Sequence, residues 1–161
     1  MSRPTELERV TPHLGRDLRL DYTFGGGFFE DADLATALDA KRVPRLRDLL
    51  TTERVGAIEQ AIINRLKTRK GELAPLGHAG YGSRHHELIG EPNVEHVRNL
   101  IKLYVMQALR DEPRIERLLR VDVRPDHDPP RETVRISISA RLIGEQTPLN
   151  LVVPFSLELG A

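Results

Sequence analysis

The sequence contains no cysteine and no tryptophan, and its aromatic residues are three tyrosines and four phenylalanines. The absence of cysteine excludes disulfides, thiolate nucleophiles and zinc–thiolate sites. The scarcity of aromatic rings argues against a sugar cleft or a groove for single-stranded nucleic acid, because such sites need rings on which to stack.

The chain also lacks an excess of charge and a long apolar run. Its 24 lysines and arginines balance 24 aspartates and glutamates. Proteins that bind the phosphate backbone usually carry a basic excess, so no nucleic-acid partner is predicted. No apolar stretch approaches the ~18 residues of a membrane span, and the N-terminal residues lack the apolar segment of a signal peptide. We therefore expect a protein made in the cytoplasm without membrane insertion.

Two amphipathic helices are predicted from apolar residues that recur every three or four positions. The first runs from about Glu53 to Lys67, with Thr52 as its cap and Gly71 as its stop signal. The second runs from Val94 to about Asp111, with Asn93 as its cap. The second helix must end there because Pro113 moves the preceding residue out of the helical region.

The period then changes to two, which predicts strands with one buried and one wet face. Apolar residues alternate over Leu119–Val123, Val134–Leu142 and Leu149–Leu159. Pro154 cannot donate to a strand ladder, so the last strand is expected to have an open edge. The pattern predicts an α+β fold, with two main helices packed on a three- or four-stranded, mainly antiparallel sheet.

Residues 1–50 differ from the rest and are predicted to be an N-terminal arm or extension that precedes a domain over residues 51–161. Three consecutive glycines, Gly25–Gly27, are too costly in entropy for a helix or strand interior and predict a turn. Short helices are expected at Leu34–Leu38 and Leu46–Leu50.

The histidines raise the possibility of a metal site. No pair has the i, i+4 spacing of a zinc-binding helix, so we expect solvated loop histidines and no metal. Ser83 is near two of them in sequence but lies in no nucleophile motif. The residues weighed for metal binding are His78, His85, His86, His96 and the Asp126-His127-Asp128 loop.

The triplet Glu112-Pro113-Arg114 lies where the second helix meets the first C-terminal strand. Glu112 could be the acid of a glycosidase, with Asp111, Glu91 or Glu72 as the second carboxylate. A nearby guanidinium would lower its pKa, which is the wrong direction for a general acid. A rigid corner that carries both charges could instead dock on a partner, or it could form an exposed internal salt bridge worth ~0–1 kcal/mol.

The order of these features resembles the baseplate wedge protein family of contractile tails. This family includes the "lysozyme-like" phage baseplate proteins and TssE of type VI secretion. The segment Leu66-Lys67-Thr68-Arg69-Lys70-Gly71-Glu72 resembles the family's leucine-x-threonine-x-x-glycine-glutamate motif, carried here by Leu66, Thr68, Gly71 and Glu72. A loop with Pro75 and Tyr81-Gly82 follows, and then the Glu-Pro-Arg triplet, over roughly residues 50–160.

The resemblance implies a non-enzymatic structural subunit, present in several copies in a sixfold baseplate, with no cofactor. Its expected partners are baseplate wedge proteins, which would bind Glu112, Pro113 and Arg114, and the sheath subunit; hub, spike or tube proteins stay open as further partners. The strand edge that would start sheath assembly is predicted at Leu149, Leu151, Val153, Phe155 and Leu157. The alternatives are a peptidoglycan-cleaving glycosidase that uses Glu112 and an adaptor outside any contractile machine. A phage tail, a type VI system and a particle released from the cell also remain open.

Overall fold

The computed structural model describes residues 15–25, 28–38, 47–128 and 131–158. Its regular elements are, in chain order, β1 (Arg16–Leu18), β2 (Leu20–Gly25), β3 (Phe28–Leu34), β4 (Thr36–Leu38), β5 (Arg47–Leu49), β6 (Thr51–Glu53), α1 (Val55–Lys67), α2 (Glu95–Arg110), β7 (Ile115–Pro125), β8 (Thr133–Leu142) and β9 (Leu149–Ser156). Short 3₁₀ turns at Ala74–Leu76 and Arg84–Leu88 lie between the helices. No helix in these ranges is long and apolar enough to cross a membrane.

The predicted α+β fold is confirmed. Strands β7, β8 and β9 form an antiparallel sheet in that order. The hydrophobic core combines residues from both helices and from the inner face of this sheet, such as the fully buried Ile62, Ile101 and Ile136. Full burial of one such side chain contributes about 1.5–3 kcal/mol, and the buried members of this core all lie between Ile58 and Leu157.

Residues before α1 form three short antiparallel ladders, β1–β6, β2–β3 and β4–β5. The ladders meet at three residues joined by backbone hydrogen bonds. The Arg19 N–H donates to the Leu50 carbonyl over 2.8 Å, the Leu50 N–H to Ala35 over 2.9 Å, and the Ala35 N–H to Arg19 over 2.9 Å. This triangle satisfies backbone groups at the bends where the chain passes from one ladder to the next.

The prediction of short helices in the arm is wrong. Leu34 ends β3, Thr36–Leu38 forms β4, and Arg47–Leu49 forms β5, which pairs with β4. Pairing between distant segments overrides a weak local helix preference. Leu46 lies outside the described residues, as do Gly26 and Gly27 at the centre of the predicted glycine turn.

Both helices lie where the periodicity predicts them, but neither predicted cap is correct. Arg54 precedes α1 with φ of 54°, and Val94 precedes α2, in each case without a side-chain cap. Asn93 instead accepts a bond from Arg98 over 2.9 Å. Helix α1 ends at Lys67, before Gly71, because Thr68 adopts an extended conformation.

The strand patterns are confirmed except at Leu119, which is 43% exposed. The β7–β8 register shifts between Leu118 and Arg120, so Leu119 is an extra residue in the ladder. A bulge of this kind reverses the side-chain alternation locally. Leu159 lies outside the described residues.

One glutamine of α1 holds the arm against the helical core. The Gln60 side chain accepts a hydrogen bond from the Leu20 N–H over 2.8 Å and donates one to the Leu18 carbonyl over 2.7 Å. Nearby, the Tyr22 hydroxyl donates to Asn64 over 2.9 Å. The buried amide of Gln60 therefore satisfies backbone groups that a neighbouring strand would otherwise bond.

We expect Gln60→Leu to destabilise the protein by about 1–3 kcal/mol, because two backbone groups would lose their partner. Amide hydrogen exchange over residues 16–25 should accelerate, and urea unfolding should report the energy. Glu59→Gln, at the preceding position on α1, is the control and should change neither the hydrogen exchange nor the free energy of unfolding. Unchanged exchange in residues 16–25 of the Gln60 variant would show that this amide does not hold the arm.

Candidate functional site

The Glu-Pro-Arg triplet forms a corner whose glutamate is buried. Helix α2 ends at Arg110 and β7 begins at Ile115, so the triplet lies in the four-residue connection. Glu112 is 4% exposed, whereas Pro113 is exposed and Arg114 is partly exposed. The prediction of a corner is confirmed, but Glu112 lies behind its surface.

Two guanidinium groups hold the Glu112 carboxylate. Arg114 Nε donates to Oε1 over 2.5 Å, and Arg65 Nη2 lies 3.5 Å from Oε2. The Arg114 backbone N–H also points at Oε1, over 3.4 Å. Arg65 comes from α1 and is itself buried, so the carboxylate joins the first helix to the corner.

These contacts set the charge of Glu112. Burial pushes the pKa of the carboxyl upward, but hydrogen bonds and charge from Arg114, with the charge of Arg65, outweigh it and hold the pKa below the usual 4.5. The carboxylate is therefore ionised near neutral pH. It is a structural anion rather than a proton donor.

The loop after α1 closes onto the same corner. The Ser83 N–H donates to the Thr68 carbonyl over 2.9 Å, which fixes the two ends of the loop side by side. Gly82 has φ of +93°, and a Cβ there would lie 2.6 Å from the Arg69 carbonyl oxygen. Only glycine fits this approach. The closure places the Tyr81 ring 4.6 Å from the Arg65 guanidinium, a cation–π contact.

The family-motif residues shape the start of this loop. Leu66 is buried in the core, and the Thr68 hydroxyl donates to the Asn64 carbonyl over 2.8 Å. Gly71 adopts a positive φ of 84°. The Glu72 carboxylate accepts a bond from the Arg69 N–H over 2.9 Å. The motif therefore builds the turn that carries Tyr81 to Arg65.

The prediction that His85 and His86 are solvated is wrong. His85 is buried and stacks on His86 with ring centroids 4.3 Å apart. Both rings make T-shaped contacts with Phe155 of β9. Burial and the neighbouring His86 lower the pKa of His85 to about 3, so it stays neutral in the core. Adjacent histidines share this site because a 3₁₀ turn, and not a strand, carries them.

Ser83 meets His85 more closely than the sequence suggests, since its Oγ lies 2.7 Å from His85 Nδ1. Ser83 is 1% exposed, so the pair has the contact of a nucleophile and base without access for a substrate. The other histidines considered, His78, His96 and His127, are exposed. Across the described ranges no three potential metal ligands come together.

The residues predicted for the sheath-facing edge point their side chains inward. Leu149, Val153, Phe155 and Leu157 are buried, and Leu151 is half-buried. Any contact that these residues make at the edge would therefore use their backbone groups. In the described residues β9 pairs with β8 alone, and although β3 lies near β9, its ladder partner is β2.

Sequence reasoning missed Arg65 and the stacking of Tyr81 on it. Arg65 lies among the apolar residues of α1 and beside the buried Leu66. An arginine on the inner side of an amphipathic helix is a signal that an acid must meet it in the core. Which acid it meets could not be read from the spacing of 47 residues to Glu112.

Comparison with known proteins identifies one matching family and a similar solved structure. A family model described as baseplate wedge protein gp25 matches residues 46–147, and no curated protein matches the chain. Among solved structures, a candidate tail lysozyme from Geobacter sulfurreducens is 31% identical with a TM-score of 0.55, covering 65% of this chain and 91% of that one.

We expect Glu112→Gln to lower the free energy of unfolding by about 2–4 kcal/mol at pH 7, because Arg65 would lose its buried counter-charge. The difference from wild type should shrink as the pH falls through the lowered pKa of Glu112. The folded carboxylate binds its proton later than the unfolded one, so its stabilisation is complete above the unfolded pKa of 4.5 and is lost below it.

Urea unfolding at pH 7 and at pH 3 measures this difference. Glu116→Gln, an exposed carboxylate on β7, is the matched control and should cost little at either pH. His85 titrates in the same range but is present in both proteins, so its contribution cancels. A difference that is independent of pH would show that the charge of Glu112 contributes nothing.

Proposed function

The chain belongs to the baseplate wedge protein gp25 family, and from this premise we propose that it docks on neighbouring wedge proteins and starts sheath assembly in a contractile injection machine. Family membership makes it a structural component of a phage tail-like baseplate that assembles with other baseplate components. The wedge contact, the sheath contact and a sixfold arrangement of copies are the proposed parts. We also keep the proposed division into an arm, 1–50, and a wedge domain, 51–161.

The docking proposal is carried by the way Glu112 orients Arg114. A buried, ionised carboxylate fixes one edge of the guanidinium through Nε, and Arg114 is still partly exposed. A guanidinium held in one orientation loses little entropy when it binds a carboxylate or carbonyl group of a partner. Glu112 is then a positioning residue, and Pro113 and Arg114 provide the contact surface.

An apolar groove beside the corner supports the same proposal. It runs between the outer side of α2 and the start of β7, and Leu103 and Met106 in it are 47% and 42% exposed. Arg110, the last residue of α2, and Ile115, the first residue of β7, also line this groove. Protein–protein interfaces are often built from an anchoring arginine next to exposed apolar residues.

The glycosidase alternative has less support from the geometry. A general acid must keep its proton near neutral pH and reach the substrate. Glu112 has a lowered pKa, is 4% exposed, and is held by two guanidiniums. Of the acids weighed as its partner, Glu72 accepts a backbone bond within its own loop and Asp111 lies 4.0 Å from Lys70.

The sheath proposal rests on the backbone of β9. Proline is tolerated in a ladder where its nitrogen points away from the neighbouring strand. Pro154 lies opposite Arg135 of β8. Because strand residues two apart point the same way, the N–H of Val152 also points to the outer edge. Such an edge is a template for an added strand from a sheath subunit.

We expect Arg114→Ala to fold but to be absent from baseplates, so that no sheathed particles form. Glu112→Gln should give fewer particles, because it releases Arg114 without removing it. Particles purified from the native host and imaged by electron microscopy provide the measurement, with Arg47→Ala, an exposed arginine away from the groove, as the control. Normal particles that have lost only peptidoglycan cleavage would refute docking and favour the glycosidase.

We expect Val152→Pro to enter the baseplate but to start no sheath, because the variant lacks one N–H at the open edge of β9. Val152→Ala removes most of the same side chain but keeps the N–H, so it should assemble a normal sheath. Electron microscopy of baseplates and sheath lengths separates the two, after circular dichroism has confirmed folding. Equal sheath assembly by both variants would contradict strand addition at this edge.

A further inference from the structure

The outward face of the β7–β8–β9 sheet is basic, although the chain as a whole has no net charge. Strand β9 contributes only uncharged residues to it, such as Asn150 and the 55% exposed Val152. At the paired outward positions of the described sheet, Asp122 is the one acidic residue. The basic residues at these positions are all arginine: Arg117, Arg120, Arg124, Arg135 and Arg141.

The strand register places arginines directly opposite each other twice. Arg117 pairs with Arg141 near one end of the face, and Arg124 pairs with Arg135 near the other. Like charges at directly opposed positions destabilise a sheet. The two pairs lie six positions apart along β8, from Arg135 to Arg141, which corresponds to about 20 Å. Each pair thus weakens folding unless nearby carboxylates neutralise its charge.

Carboxylates within the chain neutralise only part of this charge. Asp122 lies 3.1 Å from Arg120 and 2.9 Å from Arg124, and Asp126, just after β7, pairs with Arg135. The arginines remain largely exposed, at 68%, 72% and 62% of their side chains. Five guanidiniums against these two carboxylates leave an excess of three positive charges.

We propose that this face binds a carboxylate-rich segment of another protein, which bridges the two arginine pairs. Arginine forks match carboxylates in a bidentate manner. Phosphate would suit the same forks, but the face carries no aromatic residue on which bases could stack. The family's role, which is to assemble with other baseplate components, also favours a protein partner. Neither Arg114 nor the outer backbone edge of β9 belongs to this face, although Arg117 at its near end also lines the apolar groove beside the corner.

The test uses the full chain and a fluorescein-labelled peptide of twelve glutamates, with binding followed by fluorescence anisotropy at low salt. We expect binding that weakens as salt rises, because the contacts are exposed and ionic. Arg117→Gln with Arg141→Gln, and Arg124→Gln with Arg135→Gln, should each reduce the affinity about tenfold, as expected for two exposed ion pairs. All four together should abolish binding.

Matched controls make the result specific to this face. Arg16→Gln with Arg47→Gln removes two exposed arginines elsewhere and should leave the affinity unchanged. A peptide of twelve glutamines should not bind to any of these proteins. Thermal unfolding adds a second readout, since the Arg117 and Arg141 variant relieves repulsion and should not lower Tm.

Three outcomes would overturn the proposal. One is an absence of glutamate-peptide binding by the wild-type chain. Another is an equal loss of affinity in the control pair, which would place the site elsewhere. The third is binding of a 20-base-pair DNA duplex at least as tightly as the glutamate peptide, with the same sensitivity to the four arginines, which would assign the face to phosphate. Because Arg114 is unchanged in every variant, loss of peptide binding would not by itself contradict the docking of Arg114.

Discussion

The buried carboxylate of Glu112 is the interaction on which the rest of the candidate site depends. It joins three parts of the chain that are far apart in sequence: helix α1 through Arg65, the corner through Arg114, and the closed loop through Tyr81, which stacks on Arg65. Removal of the charge would leave a buried guanidinium without its counter-ion. The corner, the loop and the first helix are therefore fixed relative to one another by a single anion.

Such a cluster is a costly way to stabilise a fold, because apolar residues of the same volume often contribute as much. Its value is in orientation. The carboxylate holds Arg114 with one side bound and the rest accessible, and the glycine at position 82 lets the loop approach closely enough for the ring of Tyr81 to cover Arg65. In the proposed docking role, an arginine whose position is set before assembly would lose less entropy on binding.

Charge is distributed unevenly in this neutral chain. Acidic and basic residues are equal in number, yet the outward face of the C-terminal sheet carries arginines in opposed pairs, and the corner presents another arginine just before β7 begins. The inner face of the same sheet supplies the core, including the packing of Phe155 on two neutral histidines. One sheet thus provides the core with one face and a charged surface with the other, and in the described residues its last strand, β9, pairs with β8 alone.

Periodicity was enough to predict the α+β class, the two helices and the three C-terminal strands, because periods of 3.6 and 2 are local properties that apolar burial enforces. Pro113 was enough to place the corner, since it moves the preceding residue out of the helical region. Three outcomes came from the folded chain: Arg65 meets Glu112, His85 is buried, and the arm forms strands. Each of these outcomes depends on contacts between residues far apart in the chain, such as Gln60 with Leu20 or β4 with β5, and local propensity carries no information about such partners. The arginine pairs show the same limit, because the bulge at Leu119 sets the register that brings Arg117 opposite Arg141.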